Sequence, residues 1–301
     1  MRQSLFSMLL LLGLIWGGSY YFIKVLIEAF GPWTIVMLRS GLGLAVISVY
    51  MAASGKPFGF KGLPWAAVAA MAIVNTCVPW AIIGFSETRI ASGTAAVLNA
   101  TTPLWALALG ILFFGTTARR THWTGMASTA AGLLTLLDFG PSDAARVDGL
   151  GFAGMLAASF FYGLGSHLSR RLLDRITPYQ ATFFTLLLST LVSGIAASFS
   201  ESFPIRELAD PRHLLVLFGL GVFGSGLAYM IFYRLVQKGG PEFATTVTYL
   251  LPAISLLWGF ALLHEPLRWH TAAGLVLILA GVYLSSRGAR GGPEAERGLS
   301  A

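Results

Sequence analysis

The chain has 301 residues, of which 55% are hydrophobic and only 11% charged, and its mean hydropathy is +0.73. A soluble domain carries about 25% charged residues, so this composition excludes an ordinary soluble enzyme or binding module and makes the bilayer the solvent for most of the surface. The net charge of +7 does not mark a nucleic-acid binder, because the Lys and Arg residues are scattered among short loops and form no stripe.

The first apolar segment covers about 4–27 and carries Trp16, Ser19 and Tyr20. Arg2 followed by Leu9 to Leu12 imitates a signal peptide, but the apolar run continues to Ile27 without a small-residue cleavage site, so an uncleaved span is expected. Beyond Gly31-Pro32 a second segment covers 33–53, with Arg39 about one-third of the way in. Gly55-Lys56-Pro57 ends it, and a third segment at 63–85 holds Asn75, Pro79, Trp80 and the single cysteine, Cys77. One cysteine excludes a disulfide framework and a cysteine-based metal site. The break at 86–91 is the weakest, marked only by Glu87 and Arg89. A fourth segment at 91–114 carries Asn99, Thr101 and Pro103, and a fifth at 120–138 follows Arg119-Arg120. The sixth, 149–169, contains Tyr162 and His167, and the seventh, 178–199, opens at Thr177-Pro178. The eighth, 212–234, contains Tyr229 and Tyr233. The ninth, 241–263, contains Thr248, Tyr249 and Pro252, and the tenth, 268–286, follows Glu265-Pro266.

Segments of this length predict helices, since a spanning helix needs ~20 apolar residues and a barrel strand only ~10. The expected fold is all-α, with ten transmembrane helices. With the N-terminus in the cytoplasm, most Lys and Arg residues fall on the cytoplasmic side. Only Lys24, Arg89, Arg146, Arg206, Arg212 and Arg268 fall outside, and Arg39 lies within a span. This bias predicts that both termini are cytoplasmic.

An internal repeat organises the segments. At a constant offset of 149 residues, Pro103 falls on Pro252, Gly110 on Gly259, Gly125 on Gly274 and Gly132 on Gly281. At an offset of 146, Gly17 falls on Gly163, Lys24 on Arg170, Glu28 on Asp174 and Pro32 on Pro178. The expected division is a first five-helix repeat over 1–138, a linker over 139–148, a second repeat over 149–286 and a disordered cytoplasmic tail over 287–301. Five is odd, so the second copy is expected upside down in the bilayer, around a central cavity. Inverted repeats are the architecture of many secondary transporters.

Leu14 to Ser19, Leu38-Arg39-Ser40, Ala95 to Pro103, and Leu262-Leu263-His264-Glu265-Pro266-Leu267 followed by Gly274 and Gly281 resemble the EamA-type branch of the drug/metabolite transporter superfamily. The resemblance implies an inner-membrane exporter or facilitator of small metabolites. Its members often carry an acidic residue at the end of the fourth span as well as the ninth, whereas here Glu265 is matched by Thr116.

Candidate substrate contacts follow from the polar and aromatic residues within spans. They are Trp16, Ser19 and Tyr20; Arg39; Asn75 and Trp80; Asn99; Tyr162; Tyr229 and Tyr233; and Thr248 and Tyr249. Arg39 is read either as a partner for a substrate carboxylate or phosphate or as a structural side chain that snorkels to the outer surface or pairs with a helix C-terminus. Pro103 and Pro252 deprive the carbonyls of Asn99 and Thr248 of their helical donors, which singles out that pair. Gly125/Gly132 and Gly274/Gly281 read as close-packing surfaces. His167 reads as a packing or interfacial histidine, with a proton carrier as the alternative. Glu28, Glu87 and Glu265 are placed at span ends, so no membrane-buried carboxylate is expected, which weighs against proton coupling.

No enzyme signature is found. Gly224-Ser225-Gly226 lacks the preceding glycine of a nucleophile elbow, and His264-Glu265 lacks the second histidine of a zinc motif. No catalytic residue, metal or cofactor is expected. The leading reading is an alternating-access carrier exporting or facilitating the passage of small organic metabolites, such as amino acids or aromatic and amphipathic compounds. A multidrug or nucleotide-type exporter is the alternative, and a channel or membrane scaffold is weaker still. Lipid is the expected surroundings, and the chain is expected to be a monomer or homodimer.

Overall fold

A computed structural model describes residues 2–115, 120–136, 148–266 and 268–289. Among the described residues there are helices and turns but no strands. The helices are α1 Arg2–Leu26, α2 Pro32–Ala53, α3 Trp65–Glu87, α4 Ser92–Phe113 and α5 Arg120–Leu136. They continue as α6 Gly149–Leu173, α7 Pro178–Ser200, α8 Pro211–Gly239, α9 (Pro241–Thr245, Thr246–Tyr249 and Leu251–Leu263) and α10 Trp269–Ala289. Eight of the described helices are long and apolar enough to cross a membrane. The other two, α5 and α10, pack on each other; the 17 residues of α5 reach about 26 Å at 1.5 Å per residue. Helix α10 continues to Ala289, past the expected boundary at 286. Thr116, Arg119 and most of the expected linker and tail lie outside the described residues.

Local chemistry sets the helix starts. Pro32, Pro178, Pro211 and Pro241 stand in the first turns, where a missing N–H costs nothing. Asp148, Thr177 and Asp210 accept from the backbone N–H of Gly151, Gln180 and Arg212. Thr177 and Gln180 complete a capping box. Large apolar side chains such as Leu112, Phe113, Leu215 and Leu257 are turned outward and largely exposed. An outward apolar surface of that kind belongs against lipid.

The two halves are related by an antiparallel two-fold arrangement, and small residues show where its axis runs. A methyl on Gly132 would sit 2.8 Å from the Gly274 carbonyl, and one on Gly281 would sit 2.4 Å from the Gly125 carbonyl. Gly125 and Gly274 are repeat equivalents, as are Gly132 and Gly281, so each glycine meets the counterpart of its neighbour in the motif. Between them, Ser128 Oγ donates to the carbonyl of Leu277, its own equivalent, at 2.9 Å. Between α2 and α7, where the offset is 146, the contacts are reciprocal: Ser40 Oγ donates to Ser189 Oγ at 3.0 Å, and Gly43, the equivalent of Ser189, lies against Leu186, the equivalent of Ser40. A residue can meet its own equivalent only on a symmetry axis. The remaining helices pair accordingly: α1 packs on α8 and α9, and α6 packs on α3 and α4.

Both copies lose regular helix in matching places. A π-helical turn covers Ile73–Cys77 in α3 and Gly219–Leu227 in α8. Helix α4 breaks between Asn99 and Thr102, and α9 narrows to a 3-10 segment over Thr246–Tyr249. Such turns inside α-helices are frequent at functional sites. Here they surround the centre of the molecule.

Candidate functional site: a cavity between the two halves

The irregular segments line a cavity. From the first half its wall includes Trp16, Ser19, Tyr20, Arg39, Asn75, Trp80 and Asn99; from the second it includes Tyr162, Tyr229 and Thr248. Its free space is about 60 Å³. An engineered cavity that admits benzene has roughly 150 Å³, so this one must widen before it holds an organic solute.

Arg39 dominates the chemistry. It is only 3% exposed, and its guanidinium carbon stands 3.7 Å from the centre of the Trp80 ring. Its Nε donates to Ser225 Oγ at 3.0 Å. The π-helical turn of α8 presents that hydroxyl, and Ser225 in turn donates five residues back to the Leu220 carbonyl at 3.1 Å. The snorkelling alternative for Arg39 is therefore overturned. Stacking on Trp80 holds the side chain inward, and no carboxylate forms an ion pair with it among the described residues.

An aromatic framework fixes the wall. Trp16 Nε1 donates to the Gly224 carbonyl at 2.9 Å. The Trp16 ring meets Tyr229 edge-on at 5.6 Å, and Tyr229 meets Trp80 edge-on at 5.3 Å. Tyr229 OH donates to the Asn75 carbonyl at 2.9 Å, a group that Pro79, four residues on, leaves without its α-helical donor. At the α4 break, Thr102 Oγ1 donates to the Asn99 carbonyl at 2.8 Å and so satisfies the acceptor that Pro103 leaves open. In α9, Thr248 Oγ1 donates to the Thr245 carbonyl at 2.8 Å.

Two of the sequence candidates do not reach the wall. Tyr233 is fully buried behind it, where its OH donates to Thr185 Oγ1 at 3.3 Å and accepts from Asn75 Nδ2 at 3.5 Å. Tyr249 lies one position beyond Thr248 on the 3-10 segment and packs instead against the apolar cluster around Leu251. Conversely, Thr102, Thr245 and Phe232 line the cavity without having been singled out. Thr102 adjoins Pro103, and that proximity was the signal available for it. His167 is buried away from the cavity wall, where its Nε2–H donates to the Ala106 carbonyl at 2.8 Å and its ring stacks on Phe114 with centroids 4.3 Å apart.

The ends of α1, α3, α7 and α9 gather on one side, here called the Glu265 face, and contacts between the halves bridge it. Glu265 accepts from Ser92 N at 2.8 Å, Ser92 Oγ at 2.9 Å and Gly93 N at 3.3 Å. Glu201 likewise accepts from Trp33 N and Thr34 N, both at 2.8 Å, and from Thr34 Oγ1 at 2.7 Å. Each carboxylate from the second half thus covers a helix N-terminus of the first, where backbone donors lack partners and negative charge is favoured.

The expectation that no carboxylate is buried fails at Glu87. Although it ends α3, it is 0% exposed, because α1, α6 and the α3–α4 turn close over it. Neither carboxyl oxygen has a hydrogen-bond partner among the described residues. Elsewhere, Glu207, Asp210 and His213 bring one potential ligand atom each within 4.8 Å. Local contacts account for them, since Asp210 caps α8 and Glu207 pairs with His213 at 3.4 Å.

A family model, the EamA-like transporter family, matches the chain twice, over residues 4–137 and 149–287. The chain belongs to the EamA-like transporter family. Among curated relatives of this EamA-like protein, an "Uncharacterized transporter" of Archaeoglobus fulgidus is 25% identical over 90% of this chain and 95% of its own. The "Uncharacterized inner membrane transporter YedA" of Escherichia coli is 26% identical over 93% of this chain and 92% of its own. A chain of known crystal structure, 19% identical, superposes with a TM-score of 0.73 over 96% of this chain and 99% of its own, which places the fold. The protein is a multi-pass membrane protein of a transporter family.

Proposed function

We propose that this EamA-like chain is an alternating-access carrier that exports, or facilitates the passage of, small organic metabolites across a bacterial inner membrane, with both termini in the cytoplasm. The observation that carries the reading is Arg39, a cation without an ion-pair partner among the described residues, in the wall of a mid-molecule cavity between two inverted halves. Its terminal nitrogens suit a carboxylate in a bidentate contact. Trp16, Trp80, Tyr162 and Tyr229 offer ring faces and edges to an aromatic or amphipathic body. Asn99 and Thr248, from equivalent breaks in the two halves, supply polar groups. Tyr233 acts behind the wall by holding Asn75. Amino acids and related aromatic carboxylates fit this set better than cationic drugs, which Arg39 repels.

The two-fold relation supplies a route to alternation. Halves that pack in one way at the Glu265 face can exchange their conformations, so that the two-fold-related packing forms at the other face. The small free volume fits a closed arrangement that has to widen around its solute.

The test is flux in proteoliposomes with a panel of amino acids, nucleosides and cationic drugs. Saturable flux and countertransport of aromatic carboxylates are expected. Arg39→Met should lower that flux roughly 10- to 150-fold, the equivalent of a charge-assisted hydrogen bond of about 1.5–3 kcal/mol. Flux no faster than in empty liposomes for every solute would refute the carrier.

A further inference from the structure

Glu87 is the most deeply isolated ionisable group among the described residues, and its neighbours explain why. Lys24, Glu265, Arg39 and Tyr20 are the charged or titratable side chains within electrostatic range. Each charged one makes its hydrogen bonds elsewhere, although the Lys24 ammonium stays within electrostatic reach of the carboxyl. Lys24 Nζ donates to the backbone carbonyls of Glu87 and Ile90, closing the C-terminus of α3 rather than meeting the carboxyl. Glu265 is held by the α4 N-terminus. Arg39 stacks on Trp80 and donates to Ser225. The remaining charge of the turn, Arg89, pairs with Asp148 at the start of α6 at 3.6 Å. Beside Glu87, Ser86 Oγ is also without a partner, at the contact with Gly154 of α6.

An ionised carboxylate in such a place would keep neither water nor a hydrogen-bond donor. Charges buried that way cost several kcal/mol unless paired. A neutral carboxyl needs far less. Ser86 and Glu87 are, moreover, adjacent residues with vacant polar atoms on a turn that carries a clasp of the Glu265 face.

We propose that Glu87 is a proton-binding site tied to the closure of the Glu265 face. Its carboxyl holds a proton while that face is shut and releases it when the α3–α4 turn opens. On opening, the O–H bond breaks, the proton passes to admitted water, and the carboxylate gains the Lys24 ammonium as the latter leaves the two carbonyls. Closing reverses each step. The Glu265 and Glu201 clasps and the Glu87 proton then act together, so acid favours the closed face. The proposal extends the carrier reading by supplying a coupling ion, but the site stands on its own geometry.

The experiment is infrared difference spectroscopy of the full chain in nanodiscs between acid and alkaline buffer, followed by flux. Wild type should lose a protonated-carboxyl band on titration, Glu87→Gln should lack that band, and Glu265→Gln should keep it. Glu87→Asp, the safeguard against a misfolded glutamine variant, should shift the band. A wild-type spectrum unchanged by either substitution would overturn the proposal. In proteoliposomes, a pH gradient should accelerate solute flux several-fold in wild type and leave Glu87→Gln indifferent. Wild-type flux that ignores the gradient would overturn the coupling. A Glu87 band in a protein that moves no solute would instead remove the carrier reading and support the proton site.

Discussion

Removing the Glu265 clasp gives a direct measure of what keeps its face closed. In Glu265→Ala, Ser92 N, Ser92 Oγ and Gly93 N lose the carboxylate that accepts from them at 2.8, 2.9 and 3.3 Å. Losing a side-chain cap costs about 0.5–2 kcal/mol. The interaction of a negative charge with a helix N-terminus adds about 0.3–1 kcal/mol. The sum, about 1–3 kcal/mol, corresponds to a 5- to 150-fold shift in a closed-to-open equilibrium. Glu265→Gln should fall between wild type and alanine, because a neutral amide keeps one acceptor oxygen and loses the charge. Ser19 is a suitable reporter: it lines the cavity and is 6% exposed. With Ser19→Cys on a Cys77→Ala background, the rate of labelling by a membrane-impermeant maleimide should rise by the same factor in Glu265→Ala. A rate equal to that of the parent, in a protein that keeps its melting temperature, would show that the clasp does not hold the closed state.

Other outcomes follow from packing and hydrogen bonding. Gly281→Ala places a methyl 2.4 Å from the Gly125 carbonyl and 2.7 Å from Thr129 N, both backbone atoms. The overpacking should cost about 1–3 kcal/mol and lower the melting temperature in detergent. Gly149→Ala, with nothing within 4 Å of the new methyl, should stay within about 0.5 kcal/mol of wild type. Thr102→Val removes the donor to the Asn99 carbonyl and should destabilise by about 1–3 kcal/mol, with Thr102→Ser restoring most of the loss in the same melting assay.

The repeat was legible because its markers are residues with special backbone or packing demands. Proline interrupts a helix wherever it stands, and glycine permits close approach of two backbones. Pro103/Pro252 and Gly125, Gly132, Gly274 and Gly281 therefore carry geometry in their spacing alone. Much of the cavity wall followed for a related reason: a polar or aromatic residue inside an apolar span needs a partner or a cavity. The reading failed where side-chain direction mattered. Tyr233 and Tyr249 share the composition of the wall residues, but the local turn points one behind the wall and the other aside.

By itself, the amino-acid sequence determined that this chain lives in a bilayer, that it is helical, and that it is built twice, because hydropathy and the positions of Pro and Gly act along one dimension. The tertiary structure alone decided that Arg39 turns inward onto Trp80, that Glu265 and Glu201 clasp the opposite half, and that Glu87 is sealed from water. The last of these could not be read from position in the chain. A helix end is exposed or buried according to what packs over it, and for Glu87 the covering residues come from α1 and α6, more than 60 residues away in each direction.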